Sequence, residues 1–268
     1  MSTAKFTGSR GIVPLATMLV RVPGWTLALN IAGLPYSEPV FASIMPTSKR
    51  DAEGRKVFRL VKEEEEEKDV FGIGYLVTPN QYIHIIGSEG GGIAYRDVEV
   101  EAVPIGSGNV EQTGACERIR MRTLGAAMER CPGGRPSERY MGIVKEGARE
   151  AQLPKEYQSL LDEISVYEPP RQRWQKLGAS IFLAIWGPIM GVMENIIVAT
   201  LGDDGHCPNI IIWLVRLIVT LMWWSHDVLF APVFGRGDGL DCEGRGDGRT
   251  KRSEALVKNL VDDLSFFV

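Results

Sequence analysis

The chain has 268 residues, of which 44% are hydrophobic and 24% charged, with a formal net charge of -4. A chain of this length can bury a proper core, and its near-balanced charge, without basic patches or nucleic-acid-binding motifs, predicts no nucleic-acid partner. The four cysteines are scattered without a Cys-x-x-Cys pair. Their spacing predicts neither a metal-binding cluster nor a disulfide framework, and such a pattern is typical of proteins in a reducing cytosol.

The N-terminal region predicts no export signal, and the residues after it predict strands. Lys5 and Arg10 precede an interrupted apolar stretch with turn residues, which fits neither a secretory signal nor a lipidation motif. Short apolar runs bounded by glycine, proline or charge then predict strands at 25–29, 40–44, 57–61 and 70–77. Five consecutive glutamates between the last two repel one another and predict a solvated hairpin loop.

A short helix is predicted immediately before a glycine run. Thr78 can cap this helix, Pro79 fits its first position, and Gln81 can complete a capping box. Gly87 can end it. The signals therefore place a helix end directly before the acid that follows.

Glu89 is the best candidate for a catalytic residue in the sequence. It stands before Gly90, Gly91 and Gly92, which lack a Cβ and let the backbone turn sharply beside a ligand. A carboxylate at such a turn can be aimed into a pocket, although a solvated acid in a tight loop is an alternative interpretation. The next residues alternate with a period of two and predict a strand with one buried face, formed by Val98, Val100 and Ala102.

Two helices are predicted after the strands, at residues 137–151 and 155–166. Ser137 can cap the first helix, which puts Tyr140 in its opening turn, where the side chain can face a pocket. Pro154 separates the two helices.

Beyond residue 169 the chain becomes strongly apolar. A basic segment, residues 171–176, precedes the run 177–201, which is long enough to cross a bilayer core. A second run, 210–230, contains Arg216, and an arginine at the centre of a membrane costs about 2.5 to 3.5 kcal/mol. The paired Trp223 and Trp224 suit a membrane interface. Residues 177–230 therefore predict a membrane hairpin or a lipid-associated helical pair; the alternative is a helical subdomain packed on the rest of the chain or on a second copy.

The end of the chain predicts a solvated tail. Residues 236–239 recur at 245–248 as Arg-Gly-Asp-Gly, within a charged, glycine-rich segment. Apolar residues at helical spacing over 253–267 predict a short amphipathic helix. The chain is thus divided into residues 1–168, an apolar segment 169–234 and a tail 235–268.

Several stretches, taken in order, resemble the gamma-glutamylcyclotransferase family, particularly its fungal branch. They span roughly residues 5–160, and the resemblance depends on the ordered set because no single piece is diagnostic. The stretches are residues 24–25, 33–35, 38–44, 74–79, 95–96, 136–141, 147–148 and 153–157.

The resemblance implies an α+β fold: a small mixed β-barrel with flanking helices, to which this chain adds a C-terminal apolar extension. It implies cleavage of a gamma-glutamyl amide, in a peptide or glutathione conjugate, by cyclisation to 5-oxoproline, with no metal or other cofactor. Fungal relatives of this kind act in pathways to sulfur-bridged toxins of the gliotoxin type. The family's general acid/base falls on Glu89, and a tyrosine that lines its substrate pocket falls on Tyr140. Gly90, Gly91, Gly92 and Tyr95, which stand close to Glu89 in the sequence, are the other predicted substrate contacts.

The chain departs from the family pattern at its beginning. Family members open with a strand and a Tyr-Gly-Ser-Asn loop that holds the glutamyl head group, and this loop is not found in the sequence. We expect that the loop is encoded upstream of Met1. One alternative is a catalytically degenerate binding module that is tethered to a membrane. Another is an intrinsic membrane protein whose soluble half only regulates it. The expected location is a cytosolic catalytic domain associated with a membrane.

Overall fold

A computed structural model describes residues 7–8, 11–47, 69–105, 118–130 and 133–240. The predicted strand at 57–61, the glutamate loop before residue 69 and the tail beyond residue 240 lie outside these residues. Three of the four cysteines do so as well: Cys116, Cys131 and Cys242.

The described residues form a mixed sheet of six strands. The strands are β1 Ala16–Val22, β2 Trp25–Leu34, β3 Glu38–Pro46, β4 Val70–Leu76, β5 Tyr95–Pro104 and β6 Ile119–Ala126. Their order is β2-β3-β6-β5-β1-β4, and all neighbours are antiparallel except β3 and β6. The two end strands, β2 and β4, contact each other. The predicted α+β class is confirmed.

Strands β1 and β6 were not predicted from the sequence. The sequence indicates only an interrupted apolar stretch where β1 lies, but β1 pairs with β4 on one side and β5 on the other. β6 pairs with the predicted alternating strand, β5, and its arginines face the acids of that strand across the sheet. Arg122 lies 2.6 Å from Asp97, and Arg118 lies 2.8 Å from Glu101. Cross-strand pairs of opposite charge stabilise such a ladder modestly.

The helices predicted within the described residues are present, and the predicted helix at 253–267 lies outside these residues. The helices are α1 Pro79–Ser88, α2 Glu138–Glu150, α3 Lys155–Asp162, α4 Arg173–Thr200, α5 Asn209–Ser225 and the short α6 Ala231–Phe234, with a π-helical turn at His226–Phe230. Thr78 and Gln81 form the predicted capping box, and the Ser137 side chain caps α2. The predicted end of α3 at residue 166 is wrong, because the chain turns after Asp162 and carries Tyr167 back to pair with Ser137.

Two groups of buried residues form most of the core. One lies between the sheet and helices α2 and α3, and it includes Val40, Met141 and Leu161. The other includes Tyr36 and Ile93 together with residues of α4 and α5. The C-terminal helices therefore share a core with the sheet.

Helices α4 and α5 are nevertheless apolar on their outer surfaces. The helical stretches Arg173–Thr200 and Asn209–Phe234 are long and apolar enough to cross a membrane by length and composition. One face of α4 exposes large apolar side chains at spacings of three, four and seven residues. We call this face the α4 stripe: Trp174, Leu177, Ile181, Ile185 and Val192.

A buried ionic cluster joins the C-terminal segment to the sheet; its members are Arg130, His226, Asp227, Arg236 and Asp238. The Arg130 guanidinium lies 3.2 Å from Asp227 and 3.4 Å from Asp238, and Arg236 pairs with both carboxylates. Burial alone would raise the pKa of Asp238, but the two guanidiniums outweigh it and hold that pKa below its usual value.

The prediction of a solvated tail from Gly235 is wrong for residues 235–240. Asp238 is fully buried, and the Tyr36 hydroxyl donates a hydrogen bond of 2.6 Å to the Gly235 carbonyl. A Cβ on Gly237 would lie 2.6 Å from the Tyr36 ring, so this position has no room for a side chain. The composition of this segment does not indicate that an ion pair between Asp238 and the buried guanidinium of Arg130 anchors it to the rest of the chain.

Candidate active site

Glu89 ends helix α1 and begins the glycine turn. Its backbone N–H donates to the carbonyls of Ile85 and Ile86. Gly90, Gly91 and Gly92 then have φ angles of 90°, 58° and 89°. Side chains are strained in this left-handed region, so three successive glycines permit the reversal that leads into β5.

The C-terminal segment holds this turn in place. The Cys207 N–H donates to the Gly91 carbonyl at 3.0 Å, and a Cβ on Gly91 would lie 2.9 Å from the Cys207 sulfur. Arg216 of α5 donates from Nε to the Ile93 carbonyl at 3.2 Å and from Nη2 to the Gly92 carbonyl at 3.3 Å. The loop before α5 and α5 itself therefore fix the backbone beside Glu89.

A cavity of about 270 Å³ lies beside the turn. Three predicted site residues line it: Glu89, Gly92 and Tyr95. The other lining residues come from α1, from β5, β6 and the loop after β6, and from the C-terminal segment. They are Ile86, Arg96, Asp97, Leu124, Ala127, His206, Ile212 and Arg216.

Tyr140 does not line this cavity, but it stands close behind the site. Its hydroxyl accepts a hydrogen bond of 3.0 Å from the Ala42 N–H, while the Tyr95 hydroxyl donates at 3.2 Å to the Ala42 carbonyl. Burial raises the pKa of Tyr140, and the negative charge of Glu89 adds to this shift. Tyr140 and Tyr95 thus both hydrogen-bond to the backbone of Ala42. Tyr140 lies close enough to Glu89 for the charge of that residue to affect its pKa.

Of the carboxylates that line the cavity, Asp97 is committed to structural contacts. Its side chain accepts hydrogen bonds of 2.6 Å from the Tyr82 hydroxyl and 2.6 Å from Arg122. Burial and the bond to Asp97 raise the pKa of Tyr82 to about 12. Proton transfer by Asp97 would disrupt this pair.

A cluster of potential metal ligands lies elsewhere and has another role. His226, Asp227 and Asp238 bring three donor atoms within 4.8 Å of one another. Both imidazole nitrogens are engaged, because the Gly237 N–H donates to Nε2 at 2.9 Å and Nδ1 lies 2.9 Å from Asp227. The two guanidiniums of the ionic cluster neutralise the carboxylates. We therefore assign this trio to packing and ion pairing.

Sequence reasoning missed the cavity residues of the C-terminal segment: His206, Ile212 and Arg216. One signal was available, since Arg216 interrupts an apolar helix and a guanidinium in such a helix needs polar partners. The sequence could not show that those partners are carbonyls of the glycine turn.

Comparison with known proteins places the chain in a family. The profile of the AclK C-terminal domain matches residues 172–233. Gamma-glutamyl cyclotransferase aclK of Aspergillus oryzae is 38% identical over 245 residues, which are 90% of this chain and 87% of the relative. Gamma-glutamyl cyclotransferase gliK of Aspergillus fumigatus is 35% identical over 234 residues, 86% and 84% of the two chains. The corresponding gliK of Claviceps purpurea is 33% identical over 241 residues, 89% and 100% of the two chains.

The chain therefore belongs to the gamma-glutamyl cyclotransferase family, as its resemblance predicted, and it is an enzyme of this class. Two solved structures are also similar to it. A gamma-glutamyl cyclotransferase has a TM-score of 0.43 and 17% identity over 64% of this chain and 86% of its own. The human uncharacterized protein loc79017 has a TM-score of 0.42 and 18% identity over 58% and 77%.

Proposed function

We propose that this enzyme cleaves the gamma-glutamyl amide bond of a peptide or glutathione conjugate, with Glu89 as its general acid and base. The observation that carries the proposal is the position of Glu89 on a cavity of about 270 Å³, at a glycine turn that Cys207 and Arg216 of the C-terminal segment hold in place. A carboxylate on a rigid turn keeps its direction toward a bound ligand.

The chemistry asks little of the protein beyond positioning and proton transfer. Glu89 removes a proton from the substrate's α-ammonium, and the resulting amine attacks the side-chain amide carbonyl. The bond between that carbonyl and the leaving nitrogen then breaks, and Glu89 returns this proton to the departing nitrogen. The attacking nitrogen loses a second proton as it becomes the lactam N–H, and the freed amine takes up that proton and leaves as an ammonium. The products are 5-oxoproline and a free amine, so no water, electron or further reactant enters.

Release of 5-oxoproline by purified enzyme tests this function. We expect product from gamma-glutamyl dipeptides, from glutathione S-conjugates, or from both. Glu89→Gln keeps the size of the side chain but cannot carry the proton, and general acid-base catalysis contributes about 10² to 10⁴-fold in rate. We expect a loss of that order.

Glu150→Gln is the matched control, because this glutamate is exposed at the end of α2, and it should keep wild-type activity. Equal rates in the wild type and Glu89→Gln would remove Glu89 from the mechanism. A wild-type enzyme that forms no 5-oxoproline from either substrate class would favour the degenerate binding module.

We further propose that the natural substrate is a glutathione adduct in fungal toxin biosynthesis. The support is that the relatives of aclK and gliK type are fungal gamma-glutamyl cyclotransferases. Measuring kcat/KM for both substrate classes tests this proposal, which requires a higher value for glutathione S-conjugates than for gamma-glutamyl dipeptides.

We also propose that the enzyme binds at a membrane surface through the α4 stripe. Basic residues Arg173 and Lys176 are exposed at the start of α4, where they can meet anionic head groups beside the apolar face. A bilayer crossing by α5 is disfavoured, because Val215, Val219 and Trp223 are buried in the shared core.

A further inference from the structure

The C-terminal segment supplies one wall of the cavity beside Glu89, and that wall carries a guanidinium. Arg216, half-buried on α5, lines the cavity together with Glu89. Its flanking residue Val215 and the residue one turn later, Val219, are buried, so the helix itself is fixed.

The guanidinium of Arg216 has a defined orientation. Its Nε and Nη2 donate to two successive carbonyls, those of Ile93 and Gly92, at the end of the turn that Glu89 begins. Because the group is planar, two bonds fix the plane of the whole fork. The cavity therefore has a carboxylate and an oriented cation on its wall.

The reacting end of a gamma-glutamyl amide has matching charges. Its α-carbon carries both an ammonium, which Glu89 must reach, and a carboxylate. A cavity of about 270 Å³ is slightly smaller than the roughly 300 to 1,000 Å³ of drug-sized sites, so it suits the head group more than a whole conjugate. We propose that Arg216 binds the α-carboxylate of the gamma-glutamyl head group, which makes the C-terminal segment part of the substrate site; this rests on the proposed function.

Arg96 is the competing cation, since it also lines the cavity. It is exposed on β5, whereas Arg216 is half-buried. Water screens an exposed charge more strongly, so the same carboxylate gains more from Arg216.

The test compares two chromogenic substrates with the same leaving group. One is gamma-glutamyl 4-nitroanilide; the other, 4-aminobutanoyl 4-nitroanilide, keeps the amine and the amide but lacks the α-carboxylate. Charge-assisted hydrogen bonds predict that the wild type prefers the first by about 10- to 100-fold in kcat/KM. Arg216→Met should reduce this preference to within about threefold by lowering only the rate with the glutamyl substrate, and Arg216→Lys should keep part of it.

Two further variants make the test independent of the folding of Arg216→Met. Ile212→Glu places a negative charge one helical turn before Arg216, on the same cavity wall, and should slow only the glutamyl substrate. Arg120→Met removes an exposed arginine of β6 away from the cavity and should change neither rate. Melting temperatures of all variants report whether they fold.

The outcomes separate this inference from the proposed function. Equal losses with both substrates in Arg216→Met and in Ile212→Glu would mean that the arginine only holds the turn. Loss of the preference in Arg96→Met but not in Arg216→Met would assign the carboxylate to Arg96. Either result overturns the inference while the enzyme remains a cyclotransferase. No turnover by the wild type of these two substrates, of gamma-glutamyl dipeptides or of glutathione S-conjugates would overturn the proposed function, and this inference with it.

Discussion

Helices α4 and α5 have similar composition but different environments. Helix α4 and the stretch Asn209–Phe234, which begins with α5, are both long and apolar enough to cross a membrane. One face of α5 is buried against the sheet, and its arginine bonds to the glycine turn, whereas α4 exposes a continuous apolar stripe. Hydropathy measures the composition of a helix and does not identify what covers it. A polar residue within an apolar run is the better indicator of a protein partner.

The neighbouring tryptophans of α5 give the largest expected effect. Trp223 is fully buried, donates to the Gly33 carbonyl at 3.0 Å and lies under the Arg130 guanidinium at 3.5 Å; Trp224 is exposed. Trp223→Ala should lower the free energy of unfolding by about 3 to 5 kcal/mol, because it leaves a cavity and removes these contacts. Trp224→Ala should cost less than about 0.5 kcal/mol.

Denaturant unfolding of the two variants measures this difference directly. Equal losses would show that α5 does not dock on the sheet in solution, and the shared core would then be wrong.

The pair also tests whether the C-terminal segment can be removed without unfolding the sheet. If Trp223→Ala behaves as expected, deletion of the segment should unfold the sheet domain as well, because the deletion would expose the same core.

The α4 stripe gives a smaller effect, on binding rather than stability. Ile181 and Ile185 are exposed, so the double substitution to Glu should leave the melting temperature unchanged. It should reduce cosedimentation with phosphatidylcholine–phosphatidylserine vesicles at least about tenfold, since two charges would enter the apolar boundary.

Ser159→Glu, on the exposed side of α3, is the control for added charge. Unchanged pelleting of the α4 double variant would refute the membrane surface. If the wild type sediments as a dimer that the double variant dissociates, the stripe is an interface between two copies.

The sequence predicted local elements better than their partners. The capping box at Thr78, the strand with Val98 and Val100, and the two apolar helices were all visible, because each depends on neighbours along the chain. Strand β1 was missed because its neighbours, β4 and β5, lie far from it in sequence. Long-range pairing leaves little trace in local periodicity.

The candidate site divides in the same way. Glu89 and its glycines stand together in the sequence, so the turn and its acid could be predicted from motif and resemblance. Arg216 lies 123 residues beyond the carbonyl of Ile93 to which it bonds. Only packing of α5 on the sheet brings these groups together. The packing of residues 235–240 was mispredicted for the same reason, because the partners of this segment, Arg130 and Tyr36, are distant in the chain.

The smallest expected effect is a dependence of stability on pH, and it comes from the attachment of α5 to the sheet through His226. This side chain is fully buried, and burial lowers its pKa. Asp227 and Asp238 partly offset this shift because their negative charges favour the protonated imidazole, whereas the positive charge of Arg130 lowers the pKa further. In the unfolded chain the pKa is about 6.5. Below that pH the unfolded state binds a proton that the folded state refuses, so the free energy of unfolding falls as the pH falls.

The slope that one such proton produces is at most about 1.4 kcal/mol per pH unit. Urea unfolding between pH 5 and 7.5 measures it. His226→Gln cannot titrate, yet it can still donate to Asp227 and accept from the Gly237 N–H, so its slope should be smaller by this amount. His84→Gln, on the exposed side of α1, should keep the wild-type slope. Identical slopes in the wild type and His226→Gln would show that the imidazole is already solvated, and therefore that the ionic cluster does not close over α5 as its distances indicate.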